Sequence, residues 1–177
     1  MKIQSDAWFV SHAVILKNTI RMVFGLVWAI DASFKFQPSF INSFPSLIAS
    51  AAAGQPSWLS GWFTFWQTTT SSNPALFAYS VAILESALAF SLIFGFMRKI
   101  AYGGGFFFSL VIWSIPEGFG GPYGPSSTDI GTSIIYAFVF LLLAIISATY
   151  GTSKYSLDAL IEKRVSWWHK IAEIKQG

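Results

Sequence analysis

Cysteine is absent from this 177-residue chain. Disulfides, thiol chemistry, cysteine-held iron–sulfur clusters and zinc–thiolate sites are therefore excluded. Charge is scarce too. Asp, Glu, Lys and Arg make up 11% of the sequence, against about 25% in an ordinary soluble domain. Between residues 36 and 84 there is no charged side chain of either sign. The two histidines, His12 and His169, lie on separate segments and neither is mid-way along an apolar run. A haem held between two facing membrane histidines is thus not expected. No Gly-rich nucleotide fingerprint follows a strand pattern, so flavin and nicotinamide are not expected either, and no metal-ligand set stands out. The start lacks the features of a cleaved signal peptide.

What fills the chain is apolar. Hydrophobic residues account for 54% of it, with 18 Phe and 8 Trp. Trp and Tyr favour the membrane–water interface, where one edge of the ring is apolar and the other wet. About 20 apolar residues in a helix cross the hydrocarbon of a bilayer. Three runs meet that description, over residues 13–36, 74–97 and 129–150, and a fourth, over residues 100–115, is short, so it would tilt little or sit where the bilayer is thin. Pro74 suits a first helical turn, and Gly151 suits a helix terminator. The expected fold is all-α: a four-helix integral membrane bundle over residues 1–152, followed by a cytoplasmic tail over residues 153–177. In the tail Leu157, Leu160, Ile161, Val165, Trp168, Ile171 and Ile174 recur at helical spacing with lysines between. This predicts an amphipathic helix on lipid headgroups or against a partner subunit. The outer segment over residues 37–73 carries Phe40, Phe44, Trp58, Trp62, Phe63, Phe65 and Trp66. Ser57 suits the N-cap of a short helix bearing several of them. That helix would lie in the interface, either roofing the bundle or serving as an aromatic anchor.

The net charge of +3 comes from cations at the ends and in one turn: Lys2, Lys17, Arg21, Arg98, Lys99, Lys154, Lys163, Arg164, Lys170 and Lys175. This distribution reads as topology rather than nucleic-acid affinity. The positive-inside rule places these residues, and both termini, on the cytoplasmic side of the cell membrane.

A charged side chain at the centre of a membrane helix costs about 2.5–3.5 kcal/mol on insertion scales, so it needs a partner or a polar cavity. Asp31, Lys35 and Glu85 are such residues. At about 100° per residue, Arg21, Trp28, Asp31 and Lys35 share one stripe about 80° wide. Asp31 and Lys35, four apart, can pair. Ala78, Ala82, Glu85 and Ala89 share a face of the second span, about 16 Å in from Pro74 at Glu85. Ala101, Gly105 and Ser109 form a close-packing face on the third. A carboxyl here either locks helices together or handles protons for a polar head within the membrane.

The densest polar segment reads WSIPEGFGGPYGPSSTDIGTSIIY, from Trp113 to Tyr136. Its glycines and prolines predict a compact loop holding Glu117, Tyr123 and Asp129. Ser126, Ser127 or Thr128 would cap the fourth span, with Asp129 in its first turn. The EGFGGPYG and TDIGTSIIY pieces, with RMVFGLVWAIDASFKF in the first span, resemble the DoxD family within the DoxX-like four-helix membrane proteins. The resemblance implies the membrane subunit of a thiosulfate:quinone oxidoreductase, which couples two thiosulfates into tetrathionate and passes the electrons to membrane quinone. It also implies a smaller DoxA-like subunit and terminal oxidase subunits as partners, besides membrane lipid. Quinone would then be a bound substrate. The matching segments carry Asp31, Lys35, Glu117, Tyr123 and Asp129; with Glu85 these give Asp31, Lys35, Glu85, Glu117 and Asp129 as catalytic candidates. Arg21, Trp28, Trp113 and Tyr123 are candidates for holding quinone or anion. Thiosulfate is a dianion, and on the outer face only Lys35 is a cation, so its charge would be met by a partner or by the N-terminus of the fourth span. The alternatives are a non-catalytic subunit of a terminal oxidase complex, or a small-solute or lipid carrier.

Overall fold

The computed structural model describes residues 4–150, apart from 126 and 128, and residues 155–174, with the side chains of 4–7, 9 and 10 left out. Lys2, Ser126, Thr128, Gly151, Lys154 and Lys175 therefore lie outside the described residues. Every regular element described is helical: α1 (Gln4–Lys35), α2 (Pro38–Ala52), α3 (Ser60–Ser71), α4 (Pro74–Phe94), α5 (Arg98–Ser114), α6 (Thr132–Tyr150), α7 (Leu157–Glu162) and α8 (His169–Ala172). Among the described residues, three segments are long and apolar enough to cross a membrane: Ser11–Lys35, Pro74–Phe94 and Thr132–Tyr150. Expected spans one, two and four correspond to these. The expected third span corresponds to α5, whose 17 residues begin with Arg98 and Lys99. It is shorter and its first turn is charged.

Local chemistry sets the helix ends. Asn73 accepts from the Leu76 N–H at 3.1 Å, and Pro74 opens α4. Gly95 ends α4 in the left-handed conformation, at φ 66°, so that helix stops short of the expected Met97. The long apolar elements pair in antiparallel fashion: α1 lies along α4, and α5 along α6. Small residues allow each approach. A Cβ on Gly25 would stand 2.8 Å from Ile93, and one on Gly105 would stand 2.3 Å from the Phe140 ring. Ala101, Gly105 and Ser109 are buried, as the close-packing reading required. The core runs through Phe24, Trp28, Ala89, Leu92, Tyr102, Phe140 and Leu143. Although consecutive, α4 and α5 make few contacts with each other.

The outer segment holds the short aromatic helix expected after Ser57, as α3, and a second helix before it. Residues 38–52 and 60–71 form a helical hairpin, α2–α3, with Pro45 inside α2. Ser57 begins a 3-10 turn, Ser57–Leu59, without a side-chain cap. The hairpin is pinned to the 115–131 loop: Gln55 donates to Gly118 O at 2.8 Å, and the Trp62 indole donates to Ser114 O at 3.1 Å. Phe119 takes a left-handed φ of 59° and packs on Trp113, Trp62 and Phe63. The bundle thus has a loop end, with this hairpin and loop, and a tail end, where α4 turns into α5.

The tail is not the continuous amphipathic helix expected. It breaks into α7, a 3-10 turn (Ser166–Trp168) and α8. The physical reason is Asp158, which a continuous surface helix would leave in water. Here it is fully buried and accepts four hydrogen bonds: from Met97 N at 2.8 Å, Arg98 N at 3.1 Å, Arg98 Nε at 2.9 Å and the Trp168 indole at 2.9 Å. A carboxylate at a helix N-terminus meets the orphan N–H groups and the positive end of the dipole. Arg98 also pairs with Glu173 at 2.6 Å. Burial and the neighbouring Glu173 push the Glu162 carboxyl above its ordinary range.

Candidate functional site

The face Ala78, Ala82, Glu85 and Ala89 on α4 is buried throughout. Alanines let neighbouring helices close in, and Glu85 projects among them, 1% exposed. Its Oε2 has no hydrogen-bonding partner among the described residues. An unsatisfied buried carboxyl oxygen costs free energy unless something else meets it. A cavity of about 470 Å³ adjoins this carboxyl, because α4 and α5 diverge and the α2–α3 hairpin covers the gap. Phe40, Phe44, Leu47 and Ile48 of α2 line it, with Trp66 and Thr70 of α3. Phe77, Ser80, Val81, Leu84 and Glu85 of α4 face Phe108, Val111 and Ile112 of α5, and Ile115 just past its end, across it. The wall is almost wholly apolar. Its hydroxyls are engaged along their own helices: Thr70 donates to Trp66 O and Ser80 to Leu76 O, each at 2.8 Å. The ionisable groups on it are Lys35, Glu85 and Glu117.

Lys35 pairs with Asp31 at 3.2 Å, as their spacing predicted, and sits 5.2 Å from the centre of the Phe40 ring. Asp31 is half-exposed and reaches the cavity only through this pair. Glu117 lines the cavity and also an open pocket of about 430 Å³ on the far side, shared with Gly120, Gly121, Pro122, Ser127, Asp129, Gly131 and Thr132. Its carboxylate accepts from Ser133 N at 3.0 Å and from Ser133 Oγ at 2.8 Å. Glu117 is therefore the cap of α6, supplied from across the loop. This corrects the expected capping. Ser127 donates to Pro122 O and accepts from Gly124 N, while Asp129 precedes α6 and accepts from Gly131 N at 2.7 Å. A Cβ at Gly131 would stand 2.6 Å from Glu117 Oε2, so glycine is needed where the loop passes the cap.

The other candidates lie apart from the cavity. Arg21 is buried at the tail end and donates to Leu92 O and Ile93 O, the last carbonyls of α4. It stands 14 residues, about 21 Å of helix, from Lys35, where it meets the negative end of the α4 dipole. Trp28 is enclosed in the core against Phe24, Tyr136 and Phe140. Trp113 donates its indole N–H to Ile130 O at 2.7 Å, and exposed Tyr123 donates to Phe119 O at 2.6 Å. These contacts hold the loop's shape. The structure thus gathers Lys35, Glu85 and Glu117 on one cavity, with Asp31 behind Lys35, and separates Arg21, Trp28, Trp113, Tyr123 and Asp129 from it. Sequence reasoning expected the aromatic helix α3 but missed α2 and the cavity the two cover; the signal available was a charge-free stretch dense in aromatics.

No protein-family model, curated protein or solved structure matches the chain.

Proposed function

We propose that this chain is a membrane protein that binds a lipophilic ligand with a polar head, of the quinone class, between α4 and α5 beneath the α2–α3 hairpin. The observation that carries this reading is the apolar cavity with the unpartnered Glu85 carboxyl on its wall. Ligand sites are mostly apolar cavities with a few convergent polar groups. An apolar tail fits the Phe and Ile wall, and a quinone oxygen can share a proton with a carboxyl.

The DoxD resemblance of the 117–136 and 21–36 segments gives this ligand a reaction: reduction of quinone by two electrons and two protons, the electrons coming from thiosulfate. Glu85 is suited to exchange a proton with the head. Lys35 balances Asp31 at the mouth. Glu117 caps α6 and so closes that helix N-terminus to an anion; the open pocket beside it is lined by Glu117 and Asp129 and by no cation. A thiosulfate dianion is therefore assigned to a cationic surface on a partner, in the family's pattern a smaller DoxA-like subunit. Neighbouring terminal oxidase subunits belong to the same proposal.

The four-span topology is part of it. Ser133 at the start of α6 meets Glu117 just past the end of α5, and Asp158 beyond α6 meets Arg98 at the start of α5. A helix that runs the length of a spanning neighbour is a span itself. About 17 residues is the short end of the spanning range. Lys17, Arg21, Arg98 and Lys99 then mark the tail end as cytoplasmic.

The test is thiosulfate-dependent quinone reduction in membranes holding the assembled complex. Glu85→Gln should assemble and slow turnover. Normal turnover in that variant would remove the proton-handling role. Assembly lost together with turnover would favour a purely structural carboxyl, and with it the scaffold alternative.

A further inference from the structure

Trp66, a residue of the cavity wall, carries a second unmet polar group. Its indole N–H is buried and has no acceptor among the described residues. The indoles of Trp62, Trp113 and Trp168 each find one, in Ser114 O, Ile130 O and Asp158. The Trp28 indole also lacks one, but it is enclosed in the core and does not line the cavity. Trp66 is held in place edge-to-face by Trp62, at 5.8 Å between ring centres, and by Phe65 at 5.3 Å. An indole can only donate, whereas a carboxyl accepts when ionised and donates when protonated. Two residues of this wall therefore hold unmet groups: a fixed donor on α3 and a group of either polarity on α4.

We propose that Trp66 and Glu85 together read the ligand's head: the Trp66 N–H donates to one oxygen, and the Glu85 carboxyl shares a proton with a second. This rests on the cavity reading above and deepens it, making Trp66 a specificity-determining residue. A quinone presents carbonyl oxygens to both, and a quinol presents hydroxyls that accept from the indole and donate to an ionised Glu85. An alkylbenzene of the same shape satisfies neither. It fills the cavity through its apolar wall alone.

The experiment uses the purified full-length chain, photolabelled with an azidoquinone and competed with decylbenzoquinone or decylbenzene. Trp66→Phe keeps an aromatic ring beside Trp62 and removes the N–H together with some ring bulk, and the decylbenzene arm reads the lost bulk. One lost hydrogen bond predicts about fivefold to tenfold weaker competition by decylbenzoquinone, with decylbenzene unchanged. Val81→Trp, which fills the cavity, should abolish labelling. If Trp66→Phe binds decylbenzoquinone like the wild type while Val81→Trp abolishes labelling, the cavity reading stands and the role of Trp66 is overturned. Equal weakening of both competitors by Trp66→Phe also overturns it, since packing rather than the N–H would then be responsible. If Val81→Trp labels like the wild type, the cavity reading itself fails.

Discussion

Replacing Asp158 by alanine tests how the tail is held. In the folded chain its carboxylate accepts from two backbone N–H groups, the Arg98 guanidinium and the Trp168 indole, at 2.8–3.1 Å and with no exposure to solvent. Alanine leaves all four donors without that acceptor. Each buried donor left unmet costs about 1–3 kcal/mol, less where water enters. Arg98 keeps Glu173 at 2.6 Å, so its charge is only partly uncompensated. Breaking a buried pair from one side typically costs about 3–5 kcal/mol, and the lower half of that range is expected here. Reversible unfolding of the detergent-solubilised chain by dodecyl sulfate would measure it. Replacing the whole cluster, Asp158→Leu and Arg98→Met with Glu173→Gln, should recover much of the loss, because no lone charge then remains buried. A loss under about 1 kcal/mol for Asp158→Ala would refute the clamp, placing Asp158 among solvated surface carboxylates.

Three further outcomes follow from contacts already described. Glu117→Ala should destabilise α6 by about 1–2 kcal/mol through loss of its cap, with faster hydrogen exchange at Ser133 and the next turn; unchanged exchange there would contradict the cap. Gly105→Ala sets a methyl against the Phe140 ring and should cost about 1–3 kcal/mol, while Gly103→Ala, with nothing within 4 Å, should be neutral; equal effects on unfolding would refute the α5–α6 seam. The Glu162 carboxyl is raised from its ordinary 4.5 by burial and by Glu173, so its protonated form favours the docked tail. That contribution is full below the unfolded value and is lost as pH rises through the folded one. Tail proteolysis should therefore slow in mild acid, and Glu162→Gln should flatten the dependence; an identical pH profile in that variant would contradict it.

Much of the frame was readable because it depends on period and polarity. The alanines flanking Glu85, the Ala101–Gly105–Ser109 face and the Asp31–Lys35 pair are local patterns, and each is found as its spacing implied. What escaped depends on partners far along the chain. Residues 37–73 read as a long segment with one short aromatic helix after Ser57, which is α3; α2, with Pro45 inside it, escaped, and the pair buries Ile48 and Phe63 against Ile115. Glu117 reads as a reactive carboxylate on a rigid loop; its engagement with Ser133, 16 positions away, is visible only in the fold. Asp158 reads as one polar residue on a surface helix, and nothing in the spacing announces that it crosses to the α4–α5 turn. Arg21 shares a stripe with Lys35, but a stripe records direction around the helix and not depth along it.

Peptide mapping of the azidoquinone crosslink locates the bound head. With a quinone-class head between α4 and α5, label is expected on residues 77–85 of α4, on residues 108–112 of α5 with Ile115 past its end, and on the walls formed by residues 44–48 and Trp66, displaced by excess decylbenzoquinone. Label confined to exposed apolar side chains such as Phe138 and Leu142 of α6, and not displaced, would contradict that placement.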